Sequence, residues 1–517
     1  MSPQSAGRMH RRDLLTGAAA LGGAALLPRA AAAQSEPRRG GVLRWANPPN
    51  PGSLDPVTGR TAAEFAFLHV VFDALLDFDP MTLDPKPGLA RTFGLEDPTT
   101  FVMELVENAA FHDGTPFDAD AVKFNLDRAR TDPRSNVKAD IATVRAVEVG
   151  GKYRVILRLD RPNAALPAVL TDRAGMMVSP THVRQNGPNV DQNPVGTGPW
   201  KLVSWRNNDR FVATRNDSYW RPGLPYLDGV NIAIMNEPAT ALRSVIAGEN
   251  DLATSLGPQQ KNVADRSKLV TPLTHSLGMV GIYLNYARPP LNNTRIRQAL
   301  NYAIDRDALN QAIALGLDVP TSAILPKEHW ACDPASAQYY RHDPAMARKL
   351  LAEAGFPEGI DIPMLGWSDQ ISMQRQEVIV TQLARSGIRV QLTPVSASAS
   401  STMFFGPAKQ GAGRMAQIAA RPDPSQEYDN LFSKDAYFNA GGVELPGYRE
   451  LLDATMATTD RAARKAAFAK LQRFVVENAL LVPIVFNTAI TVHHPRLKGF
   501  VLGMIGKPKC ADVWLDA

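Results

Sequence analysis

A run of glycine and proline in mid-chain constrains this sequence more than any other segment. In Asn193-Pro-Val-Gly-Thr-Gly-Pro-Trp200, Pro194 and Pro199 fix φ, while Gly196 and Gly198 tolerate backbone geometries closed to other residues. The run is predicted to turn sharply, to lie close against a neighbouring segment, and to act as a rigid crossing between lobes. After it, 201–205 and 210–215 alternate apolar and polar residues, which predicts two half-buried strands joined by the polar turn Asn207-Asn-Asp209.

A chain of 517 residues is longer than one core usually organises, so two or three domains are expected. An apolar fraction of 44% and a charged fraction of 21% suit a globular protein and argue against disorder. The net charge of +5 is mostly local: residues 1–33 hold Arg8, Arg11, Arg12 and Arg29 against Asp13, a surplus of three that leaves +2 for the rest. The basic residues are scattered among acids, with no stripe of Lys/Arg and interleaved aromatics, so nucleic acid is not an expected partner.

Residues 1–33 read as an export signal. They combine a basic start, the pair Arg11-Arg12, a Gly/Ala-rich apolar stretch and Ala31-Ala-Ala33 as a cleavage site. Arg11-Arg12-Asp-Leu-Leu15 resembles the twin-arginine signature, which places the mature protein in the periplasm. No later window offers about 18 uncharged apolar residues, so the membrane should be met only through a partner.

Further on, residues 40–46 are predicted as an opening strand and 61–76 as a helix with Phe65, Leu68, Phe72 and Leu75 on its inner face. Asp118 should cap a helix to about residue 130, buried through Val122, Asn125, Leu126 and Ala129. In the second half, Ile296, Ala299, Leu300, Ala303 and Ile304 share one helical face, and Asp305 and Asp343 cap the two helices that follow. Residues 396–401 are expected as a loop or frayed helix start, 461–477 as a helix, and 481–486 and 489–493 as two strands. Helix followed by strand, repeated, gives α/β layering.

Sites of chemistry are sparse. No nucleophile elbow, HExxH helix, Walker A loop or paired CxxC occurs, so neither an enzyme nor a cofactor is expected. His112-Asp113 stands before Gly-Thr-Pro116 and reads as a turn rather than a metal site. Gly411-Ala-Gly-Arg-Met-Ala416 matches a dinucleotide fingerprint in letters, but no clear strand precedes it and Arg421-Pro-Asp-Pro424 stops any helix after it. His493-His494 would point to opposite faces of a strand. Cys332 and Cys510 are the only thiols; export would permit a disulfide, and their spacing leaves the pairing open.

The order of several motifs resembles the family-5 extracellular solute-binding proteins of ABC importers, which include dipeptide, oligopeptide, glutathione and nickel-chelate binders. The motifs are Leu54-Asp-Pro56, Phe111-His-Asp-Gly-Thr-Pro116 with Asp120-Ala-Val122, Gly196-Thr-Gly-Pro-Trp200, Ile296-Arg-Gln-Ala-Leu-Asn-Tyr-Ala-Ile-Asp-Arg306 and Ala352-Glu-Ala-Gly-Phe-Pro357. The resemblance implies an α/β, two-lobed type II periplasmic binding protein-like fold with three domains. Domain I would comprise 34–80, 194–285 and 488–517, domain II 81–193 and domain III 286–487, with hinge crossings at 285–291 and near Asn487. It implies a periplasmic receptor that closes on a peptide-like or other small organic solute and delivers it to a separately encoded ABC permease and ATPase. A periplasmic ligand sensor or hydrolase on the same scaffold is the alternative.

The ligand is where the family pattern breaks. In its peptide-binding members an aspartate four residues before the proline of the Asp-Pro pair holds the ligand's α-amino group. Here that position is Ala420, and the tryptophan usual just upstream is missing. A buried ammonium would lack its counter-charge, which disfavours simple free-amine peptides. Arg421 offers a bidentate donor to a carboxylate or phosphate, so the expected solute carries an anionic group or a blocked amine. Trp45, Tyr283, Tyr437 and Phe438 are candidate apolar walls, and Asn285 and Asp423 complete the candidate site. Changing Arg11-Arg12 to Lys-Lys is expected to abolish periplasmic accumulation in cell fractionation; normal accumulation would overturn the twin-arginine assignment.

Overall fold

The glycine–proline run packs where its composition predicts. In the computed structural model, which describes residues 36–48, 50–59, 61, 64–419 and 421–516, Gly198 N donates to Val71 O at 2.9 Å and Gly196 O accepts from His112 N at 2.8 Å. Neither glycine has positive φ. What they supply is room, since a Cβ on Gly196 would stand 2.2 Å from Val71 O and one on Gly198 2.5 Å from Val71 C. The export signal expected over 1–33 lies outside the described residues, as does Ala420.

This contact shortens the helix expected over 61–76. The observed helix is Phe65–Val71, and Phe72 turns extended at φ −120°, ψ 138°. Helical spacing in the sequence continues, but after Phe72 N closes the last turn on Leu68 O, Val71 O accepts from Gly198 N instead of from the next turn. The hairpin after the run forms as Trp200–Arg206 and Arg210–Arg215, with Asn208 at φ 57° in its turn.

Among the described residues, one 11-stranded sheet unites the chain from Arg38 onward, which forms a single compact unit. Its order is Ile388–Val395, Ile360–Trp367, Gly413–Ile418, Leu273–Leu284, Leu481–His493, Leu252–Leu256, Val42–Asn47, Gly229–Ile234, Arg210–Arg215, Trp200–Arg206, with Val319–Pro320 attached to Leu481–His493. Leu273–Leu284 and Leu481–His493 run antiparallel at the centre. Leu273–His275 pair with Thr488–Ile490, the ladder breaks at 276–278, and pairing resumes with Met279 opposite Phe486. A separate four-stranded antiparallel sheet, Ala90–Asp97, Thr100–Leu105, Arg154–Leu159 and Val144–Gly151, carries the helix Ala119–Thr131, capped by Asp118 through Ala121 N at 3.0 Å.

Three large apolar clusters result. One gathers Leu43, Trp45, Phe67, Trp200, Phe211, Leu252 and Val513; a second gathers Phe101, Met103, Phe117, Val122, Leu126 and Leu157; the third gathers Ile282, Leu300, Ile362, Leu383, Phe404, Phe468 and Val482. The helix face predicted around Ile296 to Ile304 is buried in the third, with Asp305 and Asp343 capping Arg306–Ala314 and Pro344–Glu353.

Several expectations need correction. Residues 285–291 do not cross between clusters, because Tyr286 and Leu291 are buried in the third core and Asn285 N is bonded to Ala412 O. The central pair changes register ten residues earlier, around 275–279, with Asn487 between the two registers on the partner strand. Residues 396–401 belong to a full helix, Ala397–Phe405, capped by Ser396. The two strands expected over 481–493 are one. Gly413–Ile418 is a sheet strand, in keeping with the rejection of the dinucleotide match there. The question left open for Cys332 and Cys510 is answered: both are free thiols buried in different cores, and no disulfide joins them. No helix of the described residues is long and apolar enough to cross a membrane.

Gly198→Ala should cost about 1–3 kcal/mol or more, because the added carbon meets backbone that cannot step aside. Gly94→Ala, where the same carbon meets nothing within 4 Å, should stay within about 0.5 kcal/mol of wild type. Urea unfolding of both variants checks this, and equal midpoints would refute it.

Candidate functional site

Two cavities stand out by size, and the state of their polar groups separates them. The smaller, about 420 Å³, lies between the four-stranded sheet and the third core. Its charges are spent on one another: Asp423 caps the helix Pro424–Phe432 through Ser425 N and receives Arg464 Nη2 at 2.9 Å on each oxygen, while Arg461 pairs with Asp84 at 2.8 Å. Such groups close an interface and leave nothing for a ligand.

The larger cavity, about 600 Å³, is built differently. Asn47 and Pro48 leave the opening strand on one side, and Thr254 and Ser255 end a neighbouring one. Asp140, Asp172 and Arg173 come from the segment around the four-stranded sheet, and Lys507 from the C-terminal tail. The third core contributes Tyr283, Trp367, Arg421 and Phe438, together with Glu427, Asn430 and Leu431 from one face of the helix Pro424–Phe432. Ser276 and Gly278, in the ladder break of the central strand pair, also face it.

Some charges here have a partner of opposite sign. Arg173 reaches Glu64 at 2.7 Å, and Lys507 reaches Asp172 while lying 3.9 Å from the Phe65 ring centroid. Burial would raise the Asp172 carboxyl, but Lys507 and Arg173 outweigh it and hold it below the usual range. Others are left over. Arg421 makes no hydrogen bond among the described residues, and its nearest acid, Asp140, is 3.9 Å away. Glu427 is 8% exposed and its carboxylate likewise accepts no hydrogen bond. Burial pushes Glu427 up to about 7, only partly countered by Arg421. Burial also raises Asp140, again against the pull of Arg421. Asn47 Nδ2 and Trp367 Nε1 are buried donors without acceptors among the described residues. The cavity thus combines unpaired donors, a guanidinium with one long ion pair and no hydrogen bond, and two under-paired carboxyls, groups that a polar molecule could satisfy.

Three of the seven residues expected from sequence line this cavity: Tyr283, Arg421 and Phe438. The Tyr283 and Phe438 rings stack with centroids 6.0 Å apart. Trp45 stands one layer behind; it is 1% exposed and its Nε1 donates to Thr254 Oγ1 at 3.0 Å, which donates on to Asn47 Oδ1. Asn285 is buried in the third core, Asp423 belongs to the smaller cavity, and Tyr437 is 56% exposed, propping Phe438 and Phe405 from outside. His112 serves the fold, with Nε2 within 3.0 Å of Gly198 O and its acidity raised by burial to a pKa of about 4. No cluster of metal-ligating side chains occurs among the described residues.

Sequence reasoning missed Glu427, Asp140, Asp172, Lys507 and Trp367. For Glu427 a signal existed: with Asn430 and Leu431 it has i, i+3, i+4 spacing on a helix that begins just after Arg421. The others come from distant stretches with no local pattern.

Known proteins bear on this site. Residues 84–439 match the family model described as bacterial extracellular solute-binding proteins, family 5 Middle. The glutathione-binding protein GsiB of Shigella flexneri serotype 5b (strain 8401) is 28% identical over 466 residues, covering 87% of this chain and 89% of that protein. The periplasmic binding protein DppA of Helicobacter pylori, solved with the peptide STSA, superposes with a TM-score of 0.84 at 22% identity, over 93% of this chain and 99% of that one. AgaA from A. tumefaciens R10, solved with agropinic acid, gives a TM-score of 0.81 at 22% identity, over 92% of this chain and 99% of that one. With a family match spanning most of the chain and the fold of its solved relatives, this protein belongs to the family-5 extracellular solute-binding proteins, the ligand-capturing components of ABC importers.

Proposed function

We propose that the protein is a periplasmic receptor that captures a small peptide-like or other organic solute in the 600 Å³ cavity and hands it to an ABC permease driven by its ATPase. It acts by binding rather than by catalysis. The observation that carries this reading is the set of unsatisfied polar groups, drawn from all three cored regions, around one cavity. Arg421 is the anchor for an anionic group, and the Tyr283–Phe438 pair and Trp367 are apolar walls. The relatives' glutathione and peptide ligands are solutes of suitable chemistry to try first.

Capture proceeds by closure of the two ends of the large sheet about its central strand pair, with the hinge at the ladder break 276–278 and at Asn487. A solute touching both sides stabilises only the closed arrangement. The domain division is correspondingly read at these points rather than at residue 285.

Two outcomes are expected. Small-angle scattering should show compaction on saturation with a binding solute, and an unchanged radius of gyration would count against closure. In a thermal-shift screen over glutathione, dipeptides, N-acetylated peptides, sugars and organic acids, a solute at 100 times its Kd should add about 2.7 kcal/mol of stability. Arg421→Ala should remove most of that gain for anionic solutes, and full retention would refute the anchor.

A further inference from the structure

The missing carboxylate at Ala420 argues against a ligand cation, yet the cavity holds carboxyls elsewhere. Glu427 and Asp140 both face it and neither carboxyl accepts a hydrogen bond among the described residues; Arg421 is the one cation acting on Glu427, while Asp140 feels Arg421 first and Lys507 and Arg173 more weakly. Every other carboxylate on the cavity wall has its own cation: Asp172 has Lys507. A buried carboxyl kept without a partner is costly unless something arrives to pair with it.

Building on the cavity as the solute site, we propose that Glu427 is the counter-charge for a cationic group of the solute, so that the ligand is a zwitterion: its anionic group meets Arg421 and its ammonium or guanidinium meets Glu427. The carboxylate absent from position 420 is thereby supplied from the next helix. Asp140, on the opposite wall, lies close enough to Arg421 to share the same charge pattern.

The proton balance follows. With the cavity empty, burial holds Glu427 near half-protonation at about pH 7. A bound cation stabilises the ionised form, so binding releases a proton below that pH and tightens as pH rises through it. The groups facing Glu427 do not titrate there: Arg421 is raised, and Tyr283 and Tyr428 are raised by burial. Asp140 is raised too and faces Arg421 from across the cavity; replacing Glu427 separates the two acids.

The test is calorimetric titration of the mature protein with free and N-acetylated forms of glutathione, Ala-Glu and Met-Leu, at about pH 6 and pH 8. For wild type at the higher pH, at least one free form should bind roughly tenfold or more tighter than its acetylated partner, and the preference should shrink at the lower pH. Glu427→Gln should bring the two forms within about threefold and remove the pH dependence, whereas Glu427→Asp should keep part of the preference. Circular dichroism melts of the variants report whether they fold, and Glu427→Asp guards against a folding defect in the other. Equal binding of free and acetylated forms, a preference that survives Glu427→Gln, or no binding by any free form overturns the proposal. If acetylated forms bind and Arg421→Gln weakens them, the cavity remains the solute site while the role of Glu427 falls; if Arg421→Gln changes nothing for any form that binds, the cavity reading itself fails.

Discussion

Backbone pairing between Leu273–Leu284 and Leu481–His493 is what makes one body of regions that have separate cores. On one side these strands extend a ladder into Leu252–Leu256 and the opening strand; on the other they extend into Gly413–Ile418 and the parallel pair beyond. Ladder hydrogen bonds are obligatory wherever they are buried, so this junction cannot be moved without losing several at once. The junction relaxes at one place. At 276–278 the ladder breaks: Leu277 N turns to Met504 O and Gly278 N to Ser276 Oγ. Ser276 and Gly278 border the larger cavity, so the point of least sheet constraint and the proposed solute space coincide.

The other fully buried carboxylates of the described residues are each matched by an arginine. Asp55, from the Leu54-Asp-Pro56 motif, is fully buried and takes Arg128 from the helix Ala119–Thr131, tying the first loop to the four-stranded region. Glu64 takes Arg173, and Asp423 takes Arg464 with both oxygens. Leaving one member of such a pair alone would cost several kcal/mol. Against that pattern the loose Arg421, Asp140 and Glu427 are an exception with a location, and exceptions to polar satisfaction are expected where a molecule is to be bound.

Much of the scaffold was legible from residues because the signals were local. Asp118, Asp305 and Asp343 cap helices as their spacing predicts, and the Gly196-Thr-Gly198 run packs closely as its composition predicts. Where local reading failed, a distant segment had intervened. The helix at Phe65–Val71 stops early because Gly198 bonds its end, and 285–291 is core because Tyr286 and Leu291 find the third cluster. The site was less legible still. Arg421 stood out because it neighbours a position where the family pattern breaks, but Asp140 and Lys507 acquire meaning only when segments hundreds of residues apart are folded onto one wall. Trp45 and Tyr437 show the limit of composition: one aromatic is a layer too deep and the other too far out.

The weakness of the contact between Arg421 and Asp140 fits the proposed closure better than a strong one would. At 3.9 Å it lacks the closeness of the Arg464–Asp423 pair, in which Arg464 Nη2 donates to both carboxylate oxygens at 2.9 Å. Suppose Arg421 were gripped as firmly from across the cavity. The closed arrangement would then be stable without a solute, and a solute would have to displace the protein's own carboxylate before it gained anything. A long, under-hydrogen-bonded ion pair avoids both penalties. It orients the guanidinium toward the cavity, offsets part of its desolvation, and leaves its donors for an arriving anion, so that most of the free energy of closing comes from the solute.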